Sequence, residues 1–210
     1  MRVFWTLQNQ EVWELARERG FLQGDRKHAM FPKEYEWMIH QMKKRVAKYG
    51  GEYPIWLWVD KPDLRRTGYF ESGVQFVRIK VELDEQDVLL SDYDEWHMVL
   101  NNDFLANSEQ EYEEYHQGKG TISKEESWER IFAWNRKRDS SWDAYEDREL
   151  QGTTGKIDIA NVKSVEYFLA GKCCSRSRHT VGEEKTRPFT GLVFLQLLCC
   201  CFLRYDFYHA

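Results

Sequence analysis

Residues 76–83, FVRIKVEL, alternate between apolar and charged side chains almost throughout. Successive side chains of a strand point to opposite faces, so this period of two predicts a β-strand with one buried face and one wet face. A chain that contains such a strand must build a sheet and pack one face of it against a core. The predicted core face carries Val77, Ile79, Val81 and Leu83, and the predicted wet face carries Arg78, Lys80 and Glu82.

Helical periods appear in other parts of the chain. Pro32 fits the first turn of a helix, and the apolar residues after it recur at helical spacing. A second helix is predicted over Gln10–Arg19, with Asn9 as its N-cap. Ser108 and Ser123 each precede a glutamate by three residues, and such capping boxes predict two more helices. The apolar face after Pro32 consists of Tyr35, Met38, Ile39, Met42 and Val46.

Short apolar segments rich in β-branched and aromatic residues predict the remaining strands. They lie at residues 3–7, 55–59, 88–90 and 162–169, whereas the GTTG of residues 152–155 predicts a loop. Strands and helices mixed in this order predict an α+β fold, with small mixed or antiparallel sheets and four to five helices.

Length and charge narrow the class of protein. A chain of 210 residues with a net charge of −5 predicts one acidic domain. Nucleic-acid binding requires clustered basic residues, and the dense basic run at residues 136–138 is too short for it. The start has no apolar signal segment and no apolar run reaches about 18 residues, so we expect a cytoplasmic protein without a membrane span. The six histidines lack ligand spacing, which disfavours a metal site.

Composition changes near Gly171, where we predict that a single domain of residues 1–171 ends. The tail, residues 172–210, holds all five cysteines and none of the nine tryptophans. Three hypotheses account for this tail. It is a terminal helix that docks on the domain or on a partner, a cysteine-rich anchor near a membrane, or a frame-shifted or read-through end.

The segment YPIWLWVDKPDLRR, residues 53–66, contains the first candidate for a ligand site. Apolar side chains on both faces predict that its strand is central, and residues just beyond a buried strand often reach a functional site. The planar guanidinium of Arg65 would bind both oxygens of a phosphate or carboxylate, with Asp63 as its orienter. The alternative is a solvated turn in which Asp63 is paired with Arg65 or Arg66.

Two other segments place polar side chains beside predicted strands. Gln151 lies in LQGTTGKI, which is either a plain turn or part of a cleft that Trp58 and Tyr35 also line. His97 follows the acidic SDYDEW, where it could act as an acid or a base. The alternative for that segment is a capped helix with Trp96 inside and His97 outside.

Several separate blocks resemble one family. They include VFWTLQNQEVWELARERGFLQGD, YPIWLWVDKPDLR, VRIKVELDEQDVLLSDYDEWHMVLNN and VKSVEYFLAG. From Met1 to about Gly171 they resemble the bacterial family known as domain of unknown function 3841. This resemblance implies a domain boundary and a bacterial source, but it implies no activity.

The order of predicted elements also resembles small ADP-ribosyltransferase-like domains, which bind NAD in a cleft between two small sheets. This resemblance implies NAD as a ligand. It also implies that Thr6 or Gln8 on the first strand, together with Tyr35, contacts the nicotinamide ribose and ring.

Two functional hypotheses follow from these features. The first is a domain that binds a nucleotide or another small anionic ligand in an ADP-ribosyltransferase-like cleft, with Arg65, Asp63 and Trp58 among its contacts. The second is a non-enzymatic interaction domain, whose partner surface is formed by exposed aromatic side chains near Tyr112 and Tyr115 or by the tail.

Overall fold

The computed structural model describes residues 1–64, 73–136, 142 and 148–170. Eight strands and five helices occur in these residues, which confirms the α+β class. The strands are β1 (Arg2–Asn9), β2 (Phe21–Gln23), β3 (Ile55–Trp58), β4 (Gln75–Leu83), β5 (Leu89–Asp92), β6 (Leu150–Thr154), β7 (Lys156–Asp158) and β8 (Val162–Leu169). The helices are α1 (Gln10–Arg19), α2 (Pro32–Arg45), α3 (Tyr93–Leu100), α4 (Glu109–His116) and α5 (Lys124–Trp128).

Six strands form one antiparallel sheet in the order β5-β6-β3-β1-β4-β8, and β2 pairs with β7 in a separate small sheet. The strand β3 lies between β6 and β1, so the prediction that it is an interior strand is confirmed. Trp58 of β3 is paired with Trp5 of β1 on one side and with Gln151 of β6 on the other. This register places Trp58 and Gln151, two of the predicted cleft residues, side by side on one face of the sheet.

The large sheet separates two cores. Side chains alternate between the faces of β3, so Ile55 and Leu57 enter one core while Trp56 and Trp58 point to the other face. The helix α1 and the small sheet cover the first face, and α2, α3 and α5 cover part of the second. The first core includes Phe4, Trp13, Leu22, Val77, Ile79, Val81 and Ile157, and the second includes Tyr35, Met38, Met42, Trp96, Val99, Trp128 and Ile131.

The strand β4 confirms its predicted buried face, because Val77, Ile79 and Val81 have no exposed surface. The prediction of a wet opposite face is wrong at Arg78, which is also buried. Pro62 lies in the described part of the connection that follows β3, and its carbonyl accepts a hydrogen bond from Arg78. Burial of the charge therefore depends on a connecting segment and not on the strand itself.

The prediction of a loop at residues 152–155 is also wrong, because Gly152 to Thr154 belong to β6. This strand pairs with β3 and β5, so it is an interior strand with buried Thr153 and Thr154. Gly152 faces Val88 so closely that an added Cβ would lie 2.7 Å from Val88 Cγ1. The glycine that suggested a turn is thus required by packing inside the sheet.

The helix ends agree with the sequence in most cases. Ser123 and Glu126 form the complete capping box that was predicted for α5. Asn9 stands at the N-cap of α1, but its side chain makes no capping hydrogen bond. No helix in the described residues is long and apolar enough to cross a membrane. The predicted boundary at Gly171 and the tail lie outside the described residues.

Candidate ligand-binding site

A cavity of about 420 Å³ lies between β4 and the segment that follows β3. It is widely open to solvent, so a ligand there would be only partly enclosed. The turn that the sequence singled out therefore borders a cavity, and Asp63 is one of its lining residues. The lining consists of Lys61, Pro62, Asp63, Leu64 and Arg78.

Arg78 supplies a fixed positive charge to this cavity. Its Nη1 donates a hydrogen bond of 2.6 Å to the Pro62 carbonyl, and its Nη2 donates one of 2.5 Å to Glu166 Oε2. The Nε–H of the same guanidinium is buried and has no acceptor among the described residues. A buried donor without an acceptor is costly, so this edge of the guanidinium is suited to donate a hydrogen bond to a further oxygen.

Glu166 holds two cations at once. It lies directly opposite Arg78 in the β4–β8 register, and Lys61 Nζ is 3.2 Å from its other oxygen, Oε1. Hydrogen bonds from Arg78 and then from Lys61 lower the pKa of Glu166, so the carboxylate is charged at neutral pH. Its side chain is nevertheless 48% exposed, whereas that of Arg78 is 10% exposed.

Trp58 and Gln151, two of the residues predicted to line the site, lie on the same face of the sheet as Arg78. Trp58 and Gln151 are register partners, and Gln151 Nε2 is 3.4 Å from Ser91 Oγ. The ring centroid of Trp58 is 5.5 Å from that of Tyr93. Trp5 adjoins Trp58 on its other side, and both tryptophans are half-buried. This row leads from β5 across the sheet to Lys80 of β4, which is paired with Trp5, and Arg78 lies two residues before Lys80 on the same face. Trp5, Trp58 and Gln151 are not among the described residues that line the cavity.

Other predicted site residues lie elsewhere. Tyr35 is buried in the second core, where its hydroxyl accepts a hydrogen bond from Trp56 Nε1 and its ring stacks on Tyr53. Thr6 and Gln8 alternate with Trp5 along β1, so they point to the opposite face of the sheet from Trp58. The structure thus brings neither Tyr35 nor these two side chains to the cavity. Arg65 lies outside the described residues.

His97 is buried, which contradicts the alternative that placed it outside. Burial lowers its pKa, and a backbone hydrogen bond with Tyr93 only partly opposes that shift. The ring is therefore neutral at pH 7, with Nδ1 donating to the Tyr93 carbonyl at a distance of 2.8 Å. Its nitrogen Nε2 is then the acceptor of the ring, whose centroid is 4.6 Å from that of the Tyr93 ring.

A family model described as Domain of unknown function (DUF3841) matches residues 3–163. The chain belongs to this family. The resemblance inferred from the sequence blocks is thereby confirmed. The matched residues of this DUF3841 domain include Lys61, Asp63 and Arg78, whereas Glu166 follows three residues after the match ends. No curated protein and no solved structure is significantly similar to the chain.

The most buried charge that lines the cavity was not predicted from the sequence. Arg78 was assigned to a wet strand face, and Glu166 was assigned no role. The one available signal was that Arg78 and Glu166 both lie on predicted strands. The sequence does not show that these two strands pair, nor which of their residues lie opposite each other. No group of three or more possible metal ligands occurs in the described residues.

The interaction hypothesis relied on exposed aromatic side chains of α4. In the structure the ring of Tyr115 stacks on that of Phe104, with 4.0 Å between the ring centroids. The ring centroid of Tyr112 is 5.7 Å from that of Trp142. Both tyrosines are half-buried. Much of their ring surface is used within the domain, and a partner surface at this helix stays a prediction.

Proposed function

We propose that this DUF3841 domain binds a small anionic ligand in the cavity beside Arg78, with Lys61 as the second cationic contact. The observation that carries the proposal is the buried Nε–H of Arg78, which has no acceptor among the described residues. The Pro62 carbonyl holds the guanidinium in place, so little side-chain freedom would be lost when a ligand binds.

The electrostatics of the cavity support an anion. Arg78 is buried, and the low local dielectric around a buried group strengthens its attraction for a negative charge. A guanidinium also presents paired donors that match the oxygens of a carboxylate or phosphate. Asp63 lines the same cavity, where we expect it to orient a cation, and Arg65 stays a predicted second contact.

Trp5 and Trp58, which lie on the same face of the sheet as Arg78, would suit an uncharged part of the ligand. Their half-buried indole rings offer apolar surface, whereas Gln151 is buried and its Nε2 already contacts Ser91 Oγ. NAD and other nucleotides combine an aromatic ring with phosphates, so they are the first natural probes for such a site. An ADP-ribosyltransferase-like cleft stays a hypothesis from the sequence resemblance.

Thermal-shift measurements test the proposal. Inorganic phosphate, acetate, ADP and NAD at millimolar concentration are the probes, and binding to the folded form raises the melting midpoint. Arg78→Gln and Lys61→Gln should each abolish the shift. Arg45→Gln is the matched control, because Arg45 is paired with Glu129 away from the cavity.

Lys61→Gln protects this test against a folding defect in Arg78→Gln. The Lys61 side chain is more than half exposed, so its loss should leave the midpoint of the ligand-free protein nearly unchanged. If no probe raises the midpoint of the unsubstituted protein, or if both variants respond as it does, the cavity is not an anion site.

A further inference from the structure

We infer that the anion taken by this site is a carboxylate, and that Glu166 is an internal competitor which the ligand's carboxylate displaces. This inference rests on the proposed function, because it concerns the same cavity and the same two cations. It adds the chemical class of the ligand and a residue that sets the affinity.

The contacts of Glu166 show what the two cations accept. One carboxylate oxygen receives a hydrogen bond from Arg78 Nη2, and the other is 3.2 Å from Lys61 Nζ. The pair of cations is therefore spaced for one planar group with two oxygens. A ligand carboxylate has the same shape and the same charge as the group already bound there.

Glu166 satisfies Arg78 incompletely. The Nε–H and one Nη2–H of a guanidinium lie along the same edge and together bind both oxygens of a carboxylate. Glu166 engages only Nη2, and the buried Nε–H has no acceptor among the described residues. A carboxylate that is not tethered to β8 can turn to occupy both donors, so it gains a hydrogen bond that Glu166 does not make.

The position of Glu166 makes its displacement inexpensive. Its side chain is about half exposed, and β8 is one of the two edge strands of the large sheet in the described residues. When it leaves the cations, the carboxylate can be solvated by water, so no buried charge is left unpaired. Arg78 remains fixed by the Pro62 carbonyl throughout.

The charged side chains around the cavity favour a ligand with one negative charge over a ligand with two. Once Glu166 has turned away, the described charged side chains that remain are the cations Lys61 and Arg78 and the anion Asp63. Together they carry one net positive charge. A monocarboxylate neutralises the charge of these described groups, whereas a phosphate monoester dianion would also need a cation from the predicted contact Arg65.

Calorimetric titration of the whole chain with acetate and with inorganic phosphate, each at matched ionic strength, tests the inference. Glu166→Gln removes the competing charge and should bind acetate about fivefold more tightly than the unsubstituted protein. Glu82→Gln is the matched control, because Glu82 is paired with Lys163 at the other end of the β4–β8 pair. Its acetate affinity should equal that of the unsubstituted protein.

The outcomes separate this inference from the proposed function. If Arg78→Gln abolishes anion binding but Glu166→Gln leaves the acetate affinity unchanged or weaker, the site binds anions and the inference of a competitor is wrong. Phosphate binding as tight as acetate binding in Glu166→Gln would overturn the carboxylate class. If neither the unsubstituted protein nor Glu166→Gln binds either anion, the proposed function itself fails.

Discussion

The carboxylate of Glu95 and the guanidinium of Arg136 meet edge to edge, with 2.6 Å between Oε1 and Nη2 and 3.0 Å between Oε2 and Nη1. The side chains are only 5% and 14% exposed. Glu95→Gln keeps the shape but removes the negative charge that pairs with this buried guanidinium. We expect it to lower the free energy of unfolding by about 3 kcal/mol, measured by urea denaturation.

The control for that substitution is Glu36→Gln. Glu36 forms an ion pair with Arg26 in which both side chains are more than half exposed. Such a surface pair contributes less than about 1 kcal/mol, so the control should be nearly as stable as the unsubstituted protein. Equal losses for the two variants would show that the Glu95–Arg136 pair is not the cause.

Two capping motifs of the same sequence type should respond differently to loss of their glutamate. Glu126 bonds back to the Ser123 amide and is exposed, so Glu126→Ala should cost about 0.5 kcal/mol. Glu111 instead accepts from the Asn107 amide and from both Nη atoms of Arg130. Glu111→Ala should therefore cost at least about 2 kcal/mol in the same denaturation experiment.

The expected difference between Glu111→Ala and Glu126→Ala comes from the ion pair of Glu111 with Arg130 and not from helix capping. If Glu111→Ala and Glu126→Ala cost the same, the bidentate contact with Arg130 contributes nothing to stability. Ser108→Ala and Ser123→Ala provide the matched check, because each removes one similar cap hydrogen bond. We expect these two serine variants to lose nearly equal amounts, about 1 kcal/mol each.

Gly152 should not tolerate a side chain. A Cβ there would lie 2.7 Å from Val88 Cγ1 and 3.4 Å from Leu57 Cβ, inside the sheet core. Gly152→Ala is expected to destabilise the fold by about 1–3 kcal/mol. In the control Gly50→Ala, the nearest atom is the flexible carboxylate of Glu52, so the cost should stay within about 0.5 kcal/mol. Thermal or urea unfolding of both variants measures these changes in stability. If Gly152→Ala is as stable as Gly50→Ala, the expected overpacking does not occur.

His97 should make stability depend on pH below neutrality. Burial lowers its pKa in the folded protein from the ordinary value of 6.5, so the unfolded chain takes up the proton first as the pH falls. The contribution is complete above about pH 6.5 and is lost on acidification, at a rate of at most about 1.4 kcal/mol per pH unit. Lowered carboxyl pKa values, such as that of Glu166, act near and below pH 4.5 and form a separate window.

Urea denaturation at pH 7.5, 6.5 and 5.5 measures the effect of His97. The His97→Gln variant should show a smaller loss of stability between pH 6.5 and 5.5 than the unsubstituted protein. His116 is exposed, so His116→Gln should retain the original slope. Identical slopes in all three proteins would mean that His97 is protonated in the folded state as readily as in the unfolded chain.

Local periods in the sequence were sufficient for the elements with strong patterns. The alternation along β4 and the helical spacing after Pro32 predicted both elements and their core faces, because each pattern permits one buried side. The strand β6 was missed because its glycine and threonines carry no hydrophobic period. Its place between β3 and β5 comes from partners distant in the chain.

The candidate site was predictable only in part for a related reason. Asp63 followed from its position after a buried strand, and it does border the cavity. Nothing in the sequence favoured Arg78 over Lys80 as the cationic residue of the site, because both lie on the same face of the predicted strand. The difference between them is that the segment carrying Pro62 contacts Arg78. Thr6 and Gln8 came from a resemblance, and the β1–β3 register that turns them away from Trp58 is not contained in either strand alone.

The place of β6 between β3 and β5 also affects the time course of folding. A chain leaves the ribosome N-terminus first, so β1, β3 and β4 can pair soon after Leu83 has emerged. In the described sheet β5 has a neighbour only in β6, which is made much later. A nascent chain stopped before Leu150 would expose the backbone edges of both β3 and β5, and such edges invite pairing with other chains. Synthesis must therefore pass Thr154 before β6 can join β5 to β3, which makes this the stage at which help from a chaperone would matter most.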